Sequence, residues 1–244
     1  MRKIAASAPD GRNFDSLFGI LPFKPRQPVS EMKKTLLPLL TVLALAPAMA
    51  QAHPHVFADA RLEIVMGDDG HVAELHNIWR FDEVFSSSVL MDFDKNTNLT
   101  LDPAELEEIG RTVLTSLEEF SYYTTLTANG KTVKVVKPDV INVDYKDGQL
   151  LMIFAIKPAS PMPLKGKLTF GIYDPTLYAS IDFPSDQDVV LMGKLDTCKS
   201  AIVRPDPDEV LAENKANLTE AFFNDPAGTD MSKLFATRAE VTCQ

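Results

Sequence analysis

Cysteine is scarce in this chain, which has only Cys198 and Cys243 among its 244 residues. Their wide spacing lacks the C-x-x-C form of a structural zinc site. In an oxidising compartment two cysteines favour one disulfide, so we expect Cys198 to bond to Cys243. A metal ion held by the two thiolates is the alternative.

Basic residues are also in the minority, with 24 Lys and Arg against 34 Asp and Glu and a formal net charge of −10. From residue 53 onward, 17 basic residues face 31 acidic ones, and the net charge is −14. This balance argues against nucleic acid as a partner. It suits a protein that attracts cations, and simple solubility explains it equally well.

A hydrophobic run long enough to span a membrane is missing. The apolar run at residues 35–46 is shorter than the roughly 20 residues a span needs. It follows Lys33 and Lys34 and precedes Ala50-Gln51-Ala52, a small-x-small cleavage pattern. We therefore predict that residues 32–52 are a cleaved signal peptide, and that the protein is periplasmic and does not span the membrane after cleavage. A retained anchor is the alternative.

The predicted signal peptide divides the chain into three parts. Residues 1–31 do not resemble an n-region, and we interpret them as a mis-assigned extension before a true start at Met32. Residues 53–244 are long enough for one domain with a hydrophobic core. We predict a single periplasmic domain there.

Catalytic motifs are absent as well. The sequence has no G-x-S-x-G elbow, no H-E-x-x-H, no phosphate loop and no dinucleotide fingerprint. The serines at 86–88 have no evident base partner. We expect that the protein is not an enzyme.

Alternating hydrophobicity with two helical interruptions is what the sequence does contain. The pattern predicts strands at 53–66, 71–82, 122–128, 131–137, 140–145, 150–157, 165–173, 180–183 and 189–195. It predicts helices at 83–93, 103–120 and 208–223, and a short tail at 240–243. The expected fold class is α+β, mostly antiparallel β-strands with a helix–loop–helix, calcium-loop-like insertion and a C-terminal helix.

The first two predicted strands are expected to form a hairpin with its turn at Asp69-Gly70. That register pairs residue 57 with 82 and residue 63 with 76. It brings Asp82 and Glu83 near the start of the first strand. It leaves His76 about 20 Å away along the strand.

The start of the predicted mature chain is His53-Pro54-His55. Cleavage after Ala52 would free an α-amine on His53, which can chelate a metal ion together with the imidazoles of His53 and His55. Because Pro54 has no N–H, its backbone nitrogen cannot bind a metal ion as a deprotonated amide, which excludes the square-planar mode. The remaining ligands suit Zn²⁺, with nickel, cobalt or copper as alternatives. Asp82, Glu83 and His76 are further candidates. Two inert histidines at a frayed terminus are the alternative interpretation.

A second candidate site follows the first predicted helix. Residues 94–105 match the calcium-loop pattern at positions one, three, five, nine and twelve. The predicted oxygen ligands are those of Asp94, Asn96, Asn98, Thr100, Asp102 and Glu105. Leu99 occupies the sixth position, where glycine is usual, and a left-handed Leu costs on the order of 1 kcal/mol. A helix start capped by Asp102, with Pro103 and Glu105 behind it, explains the same residues without calcium.

The chain resembles the periplasmic unknown-function family 1007, often labelled "ABC-type transport system, periplasmic component". The resemblance rests on four stretches of the mature chain: H-P-H-V-F at 53–57, W-R-F-D-E-V-F-S at 79–86, the loop at 94–105 and Y-D-P at 173–175. It implies a transition-metal-binding subunit that assists an inner-membrane permease of the nickel/cobalt-efflux or zinc-uptake type. It also implies that His53 and His55 are ligands, and it keeps His76 as a candidate.

Two other functions remain open at this stage. One is an exported interaction scaffold stiffened by calcium, without a transition metal. The other is a copper-brace redox protein that would use the same His53 chelate. The sequence does not distinguish import from efflux.

Overall fold

Two β-sheets enclose one core, and several of their strands alternate buried and more exposed side chains. The computed structural model describes residues 54–193, 197–219, 222, 226–229 and 231–244. The strands, in chain order, are β1 (Val56–Met66), β2 (Val72–Phe81), β3 (Thr124–Ala128), β4 (Lys131–Val133), β5 (Val135–Val136), β6 (Asn142–Lys146), β7 (Gln149–Pro158), β8 (Gly166–Ile172), β9 (Ala179–Asp182), β10 (Val189–Met192), β11 (Cys198–Val203) and β12 (Arg238–Cys243).

The helices are short and lie in two stretches of the chain. In the described part of the chain, those with assigned bounds are α1 (Glu83–Phe93), α2 (Pro103–Ser116), α3 (Pro207–Glu213) and α4 (Pro226–Thr229), with 3₁₀ turns at Ser121–Tyr123, Asp186–Asp188 and Ser232–Phe235. Within the described residues, none of these helices is long and apolar enough to cross a membrane. The predictions for residues 1–53 lie outside the described part of the chain.

The larger sheet has the order β10-β1-β2-β7-β5, with β6 also paired to β7 and β9 also paired to β1. The β1–β2, β2–β7 and β6–β7 pairs are antiparallel. On its other edge, β1 pairs in parallel with β9 and β10. The predicted α+β class with mostly antiparallel strands is therefore confirmed. The two parallel pairs were not predicted.

The smaller sheet, in the order β11-β12-β8-β3-β4, corrects one prediction. The C-terminal residues expected as a short tail form β12, which pairs with both β11 and β8. Its buried residues alternate at Ala239, Val241 and Cys243, so it fills the core as a full strand. Strand β11 was also missed, because its side chains are half-buried or exposed and give no clear alternation.

Three further boundaries differ from the predictions. The segment 131–137 is broken at Lys134, because β4 pairs with β3 in one sheet and β5 pairs with β7 in the other. Helix α2 ends at Ser116, before the chain takes positive φ at Ser121, Tyr122 and Tyr123. Helix α3 ends at Glu213, where the Asn214 side chain donates to the Val210 carbonyl and favours a turn.

The core lies between the two sheets and is centred on Trp79. The Trp79 ring meets Phe154 edge-on at 4.9 Å and stacks on Tyr123 at 6.2 Å. Burying aromatic rings of this size removes a large apolar area from water. This packing orients β2, and therefore fixes which of its side chains face outward.

Two buried polar groups position α1 and the loop before β9. Ser86 of α1 accepts the Leu150 N–H of β7 at 2.9 Å and donates to the Asp82 carbonyl at 2.6 Å, which fixes α1 against the sheet. The buried Asp174 carboxylate accepts the N–H groups of Thr176 and Ala179, both at 2.8 Å. It thereby shapes the loop that leads into β9.

Candidate functional site

The β1–β2 hairpin has the register that the sequence predicts. Glu63 is paired with His76, and the Asp82 N–H donates to the Phe57 carbonyl at 3.0 Å. The predicted pairs 57–82 and 63–76 are both confirmed. The start of β1 therefore lies beside the end of β2 and the first turn of α1.

His55 lies at this end of the hairpin, immediately before β1. Its backbone N–H donates to the Tyr178 carbonyl at 2.8 Å, and the ring centroids of His55 and Tyr178 are 5.1 Å apart. The residue is exposed, although both its backbone and its ring are in contact with Tyr178. A fixed, solvent-accessible imidazole is therefore present where the chain enters the fold. His53 lies outside the described residues.

Asp82 is brought to the same end, but its carboxylate is already engaged. Oδ1 accepts the N–H groups of Val84 and Phe85, at 2.8 and 3.0 Å, and Oδ2 accepts that of Phe57 at 3.1 Å. Burial alone would raise the pKa of Asp82, but these N–H donors outweigh it and hold the pKa below its usual value. Asp82 thus caps α1 as an ionised carboxylate. Glu83, the first residue of α1, is exposed.

His76 is not brought to His55. It lies opposite Glu63, eight residues along β1 from His55, which corresponds to roughly 26 Å in an extended strand. Its Nε2 lies 2.8 Å from Glu74 Oε1, and its Nδ1 lies 3.6 Å from Glu63 Oε2. The two carboxylates approach opposite sides of the ring, so they do not converge on one metal position.

An open cleft of about 260 Å³ lies on the outer face of the larger sheet. Its lining residues come from β1, β2, β9 and the start of β7: Phe57, Ala58, Asp59, Arg80, Asp82, Gln149, Ser180 and Asp182. Only Asp82 among them was a predicted site residue. The strand alternation could have assigned Asp59 and Arg80 to the outer face. The parallel β1–β9 pairing that adds Ser180 and Asp182 leaves no signal in the sequence.

The loop between α1 and α2 adopts a compact, internally bonded structure. The Asp94 carboxylate accepts the N–H groups of Asn98 at 3.1 Å and Leu99 at 2.8 Å. The buried Glu105 carboxylate accepts those of Lys95 at 2.9 Å and Asp102 at 2.8 Å. Both oxygens of Glu105 are therefore used to hold the loop and the start of α2.

The remaining predicted calcium ligands bond within the same loop. The Asn96 amide donates to Asp102 at 2.7 Å, and Asn98 Oδ1 accepts the Thr100 N–H at 2.8 Å. Leu99 takes φ +63°, the left-handed conformation for which calcium loops use glycine. The backbone therefore makes a left-handed turn at Leu99, a conformation that is unfavourable for leucine.

The two cysteines form the predicted disulfide. Cys198 of β11 and Cys243 of β12 are direct partners in the smaller sheet, and their sulfurs are bonded. The predicted disulfide is therefore confirmed, and a thiolate metal pair is excluded for the oxidised protein. The bond closes a loop with a sequence separation of 45 residues and fastens the C-terminal strand to its neighbour.

Metal-binding side chains are not clustered in the described part of the chain. No three His, Cys, Asp or Glu residues there are arranged to hold a metal ion together. Among these residues, His55 is therefore not part of a group of three metal-binding side chains.

Comparison with known proteins gives one informative result. Curated proteins give no significant match. A family model described as a protein of unknown function, DUF1007, matches residues 38–243. The match covers the hairpin, both sheets and the disulfide. The chain belongs to this protein family of unknown function, DUF1007.

Proposed function

We propose that this protein is a periplasmic component that binds a transition metal, zinc before nickel, cobalt or copper, and assists an inner-membrane metal permease. The observation that carries the proposal is the position of His55. Its imidazole is exposed and anchored at the entrance to β1, directly after Pro54 and His53. The disulfide supports an oxidising compartment, where a cleaved signal peptide would free the His53 amine.

The donor set fits Zn²⁺ when His53 is included. The amine and imidazole of His53 and the imidazole of His55 give three nitrogen ligands, and a water or an exposed carboxylate such as Glu83 can complete a tetrahedron. Asp82 is a weaker ligand candidate, because three backbone N–H groups compete for its oxygens. His76 is too far along the strand to join.

A Zn²⁺ titration of the mature protein, with its N-terminus at His53 verified by mass, tests this site. The matched control has one extra residue before His53, which removes the chelating amine and leaves every side chain in place. We expect sub-micromolar binding by the first protein, weakened by about tenfold or more in the second. Equal binding by both, or no binding tighter than about 1 μM, would contradict the proposed site.

The permease partnership needs a separate test. Permease-dependent zinc accumulation in cells is expected to fall when His53 and His55 are both replaced by alanine, with His71→Ala as a control in the β1–β2 turn. Co-purification of the permease with the double variant should persist, because the protein surface is intact. Unchanged zinc accumulation by the double variant would instead favour a scaffold without transition metal. Copper selectivity with turnover of an oxidant would favour the copper-brace alternative.

The conformation of Leu99 favours calcium stiffening as a second candidate function. Its positive φ reproduces the turn of a calcium loop between two helices, and the loop supplies only oxygen donors. Calcium would have to take Glu105 from the Lys95 and Asp102 N–H groups, so we expect weak affinity, about 10⁻⁴ to 10⁻³ M. A rise in melting temperature with millimolar Ca²⁺, absent in Asp94→Ala, would support it. No rise would remove this candidate.

A further inference from the structure

The cleft on the outer face of the larger sheet has a regular floor. Six side chains form two rows across the end of β2, β1 and β9. The first row contains Asp82, which directly follows β2, with Phe57 and Ser180, and the second contains Arg80, Asp59 and Asp182. Rows two residues apart on a strand are separated by about 7 Å, and neighbouring strands by about 4.8 Å. A small molecule can therefore touch both rows at once.

Two of the three carboxylates in this floor are already committed. Asp82 accepts the N–H groups of Val84 and Phe85 at the start of α1 and that of Phe57 in β1. Asp182 accepts the Phe183 N–H at 2.8 Å and lies 3.6 Å from the Arg204 guanidinium. Neither has its full hydrogen-bonding capacity left for a ligand.

Arg80 and Asp59 are different, because within the described part of the chain their side chains have no hydrogen bond or ion pair. They are direct partners across the β1–β2 ladder, yet their charged groups do not approach within 4.0 Å. Both side chains are exposed on the cleft floor. Among the described residues, the cleft therefore presents the side chains of Arg80 and Asp59 side by side without a partner.

We propose that this cleft binds a free α-amino acid with an apolar side chain, as its zwitterion. The planar Arg80 guanidinium accommodates the α-carboxylate in a bidentate pair. Asp59 accepts hydrogen bonds from the α-ammonium group, and the Ser180 hydroxyl lies in the neighbouring row. The Phe57 ring, 52% exposed in the adjacent position of β1, provides an apolar surface for the side chain.

The volume and the charged groups of the cleft favour a small zwitterion over other ligands. A volume of about 260 Å³ lies below the 300–1,000 Å³ of sites for drug-sized molecules, so the ligand is small. Three carboxylates around one guanidinium repel a simple anion. A simple amine would cover Arg80 and leave its donors without a partner, which is unfavourable. Only a ligand with both charges satisfies the two free groups together.

Calorimetric titration of the mature protein with L-leucine and L-phenylalanine, in the presence of EDTA, tests the proposal. We expect saturable binding of at least one of them with Kd below about 1 mM. N-acetyl-L-leucine lacks the ammonium group and L-leucinamide lacks the carboxylate, so each should bind at least about tenfold more weakly than L-leucine. EDTA removes transition metals, so this titration is independent of zinc binding. A negative result with amino acids would not contradict the His53–His55 metal site, and a negative zinc titration would not contradict the amino-acid site.

Variants of the protein provide the matching controls. Arg80→Gln and Asp59→Asn should each weaken amino-acid binding by about tenfold or more. Arg111→Gln on α2 and Asp144→Asn on β6 change the same charges on exposed residues outside the cleft and should have no effect. Absence of saturable binding, equal binding of the blocked derivatives, or equal affinity of Arg80→Gln and Arg111→Gln would each overturn the proposal.

Discussion

The loop at residues 94–105 and the cleft on the larger sheet both collect charged side chains, yet they use them differently. In the loop, the carboxylates of Asp94 and Glu105 accept backbone N–H groups and hold the chain in shape. In the cleft, Arg80 and Asp59 lie side by side without a partner in the described residues. The carboxylates in the recognisable sequence motif therefore hold the loop backbone in place. Arg80 and Asp59, which remain available to bind a ligand, belong to no motif.

Removing the buried loop carboxylate should have the largest effect on stability. Glu105→Ala leaves the N–H groups of Lys95 and Asp102 without their acceptor, and we expect a loss of about 2–3 kcal/mol in the free energy of unfolding. Urea denaturation measures it. Glu107→Ala is the control, because Glu107 is exposed and pairs only with Arg111. Similar losses in both variants would mean that the loop does not depend on Glu105.

The N-cap of α1 should contribute the next largest effect, and this one depends on pH. Asp82→Ala is expected to cost about 1–2 kcal/mol at pH 7. The folded protein holds the pKa of Asp82 below its unfolded value, so the stability it contributes is present above about pH 4. That contribution is lost as the pH falls through the folded pKa. The difference between Asp82→Ala and the unmodified protein should therefore narrow at about pH 3.

The control for this pH dependence is Asp92→Ala, an exposed carboxylate near the other end of α1. It should change the free energy of unfolding by no more than about 0.5 kcal/mol at either pH. If the difference in free energy of unfolding between Asp82→Ala and the unmodified protein is the same at both pH values, the charge of the carboxylate does not stabilise the start of α1.

Relief of backbone strain at Leu99 should give a smaller effect of opposite sign. Leu99→Gly removes the cost of the left-handed conformation, about 1 kcal/mol, but adds freedom to the unfolded chain. We expect a net gain of about 0.5 kcal/mol by thermal or urea unfolding. Ser87→Gly, in the middle of α1, should instead lose about 0.5 kcal/mol. A loss at Leu99 comparable with that at Ser87 would contradict this account of the loop.

The smallest effect is expected at the two unpaired cleft residues. Asp59→Asn and Arg80→Gln should each change the free energy of unfolding by less than about 0.5 kcal/mol, because their exposed side chains bond to nothing in the described structure. This result would sharpen the contrast with Glu105. A loss of more than about 1 kcal/mol in the free energy of unfolding at either position would show that its side chain stabilises the fold, which would weaken the case for a ligand.

Local patterns in the sequence predicted much of the fold. The alternation in β1 and β2 and the Asp69-Gly70 turn fix the hairpin and its register, since a shift of one residue would expose Leu62 and Leu75. Helix α1 was predicted with its observed bounds, and the structure shows Asp82 as its N-cap. Both features depend on residues close together in the chain.

What the sequence could not predict depends on distant partners. The parallel pairing of β1 with β9 and β10 joins residues more than 100 positions apart, so nothing near Ser180 or Asp182 reveals that they face Asp59. The sequence alone predicted a tail where β12 lies, because its pairing with β8 and β11 is visible only in the structure. At the candidate metal site, the sequence predicted the proximity of Asp82 to the strand start but not that its two oxygens accept backbone N–H groups of α1 and β1.

The most direct test of the metal-site proposal is an amide NMR titration of the ¹⁵N-labelled mature protein with Zn²⁺. Binding at the entrance to β1 predicts shifts at His55, Tyr178 and the first turn of α1 around Glu83, with His76 and its neighbours unchanged. Shifts centred on His76, Glu63 and Glu74, with none at His55, would contradict a metal site at the start of the mature chain.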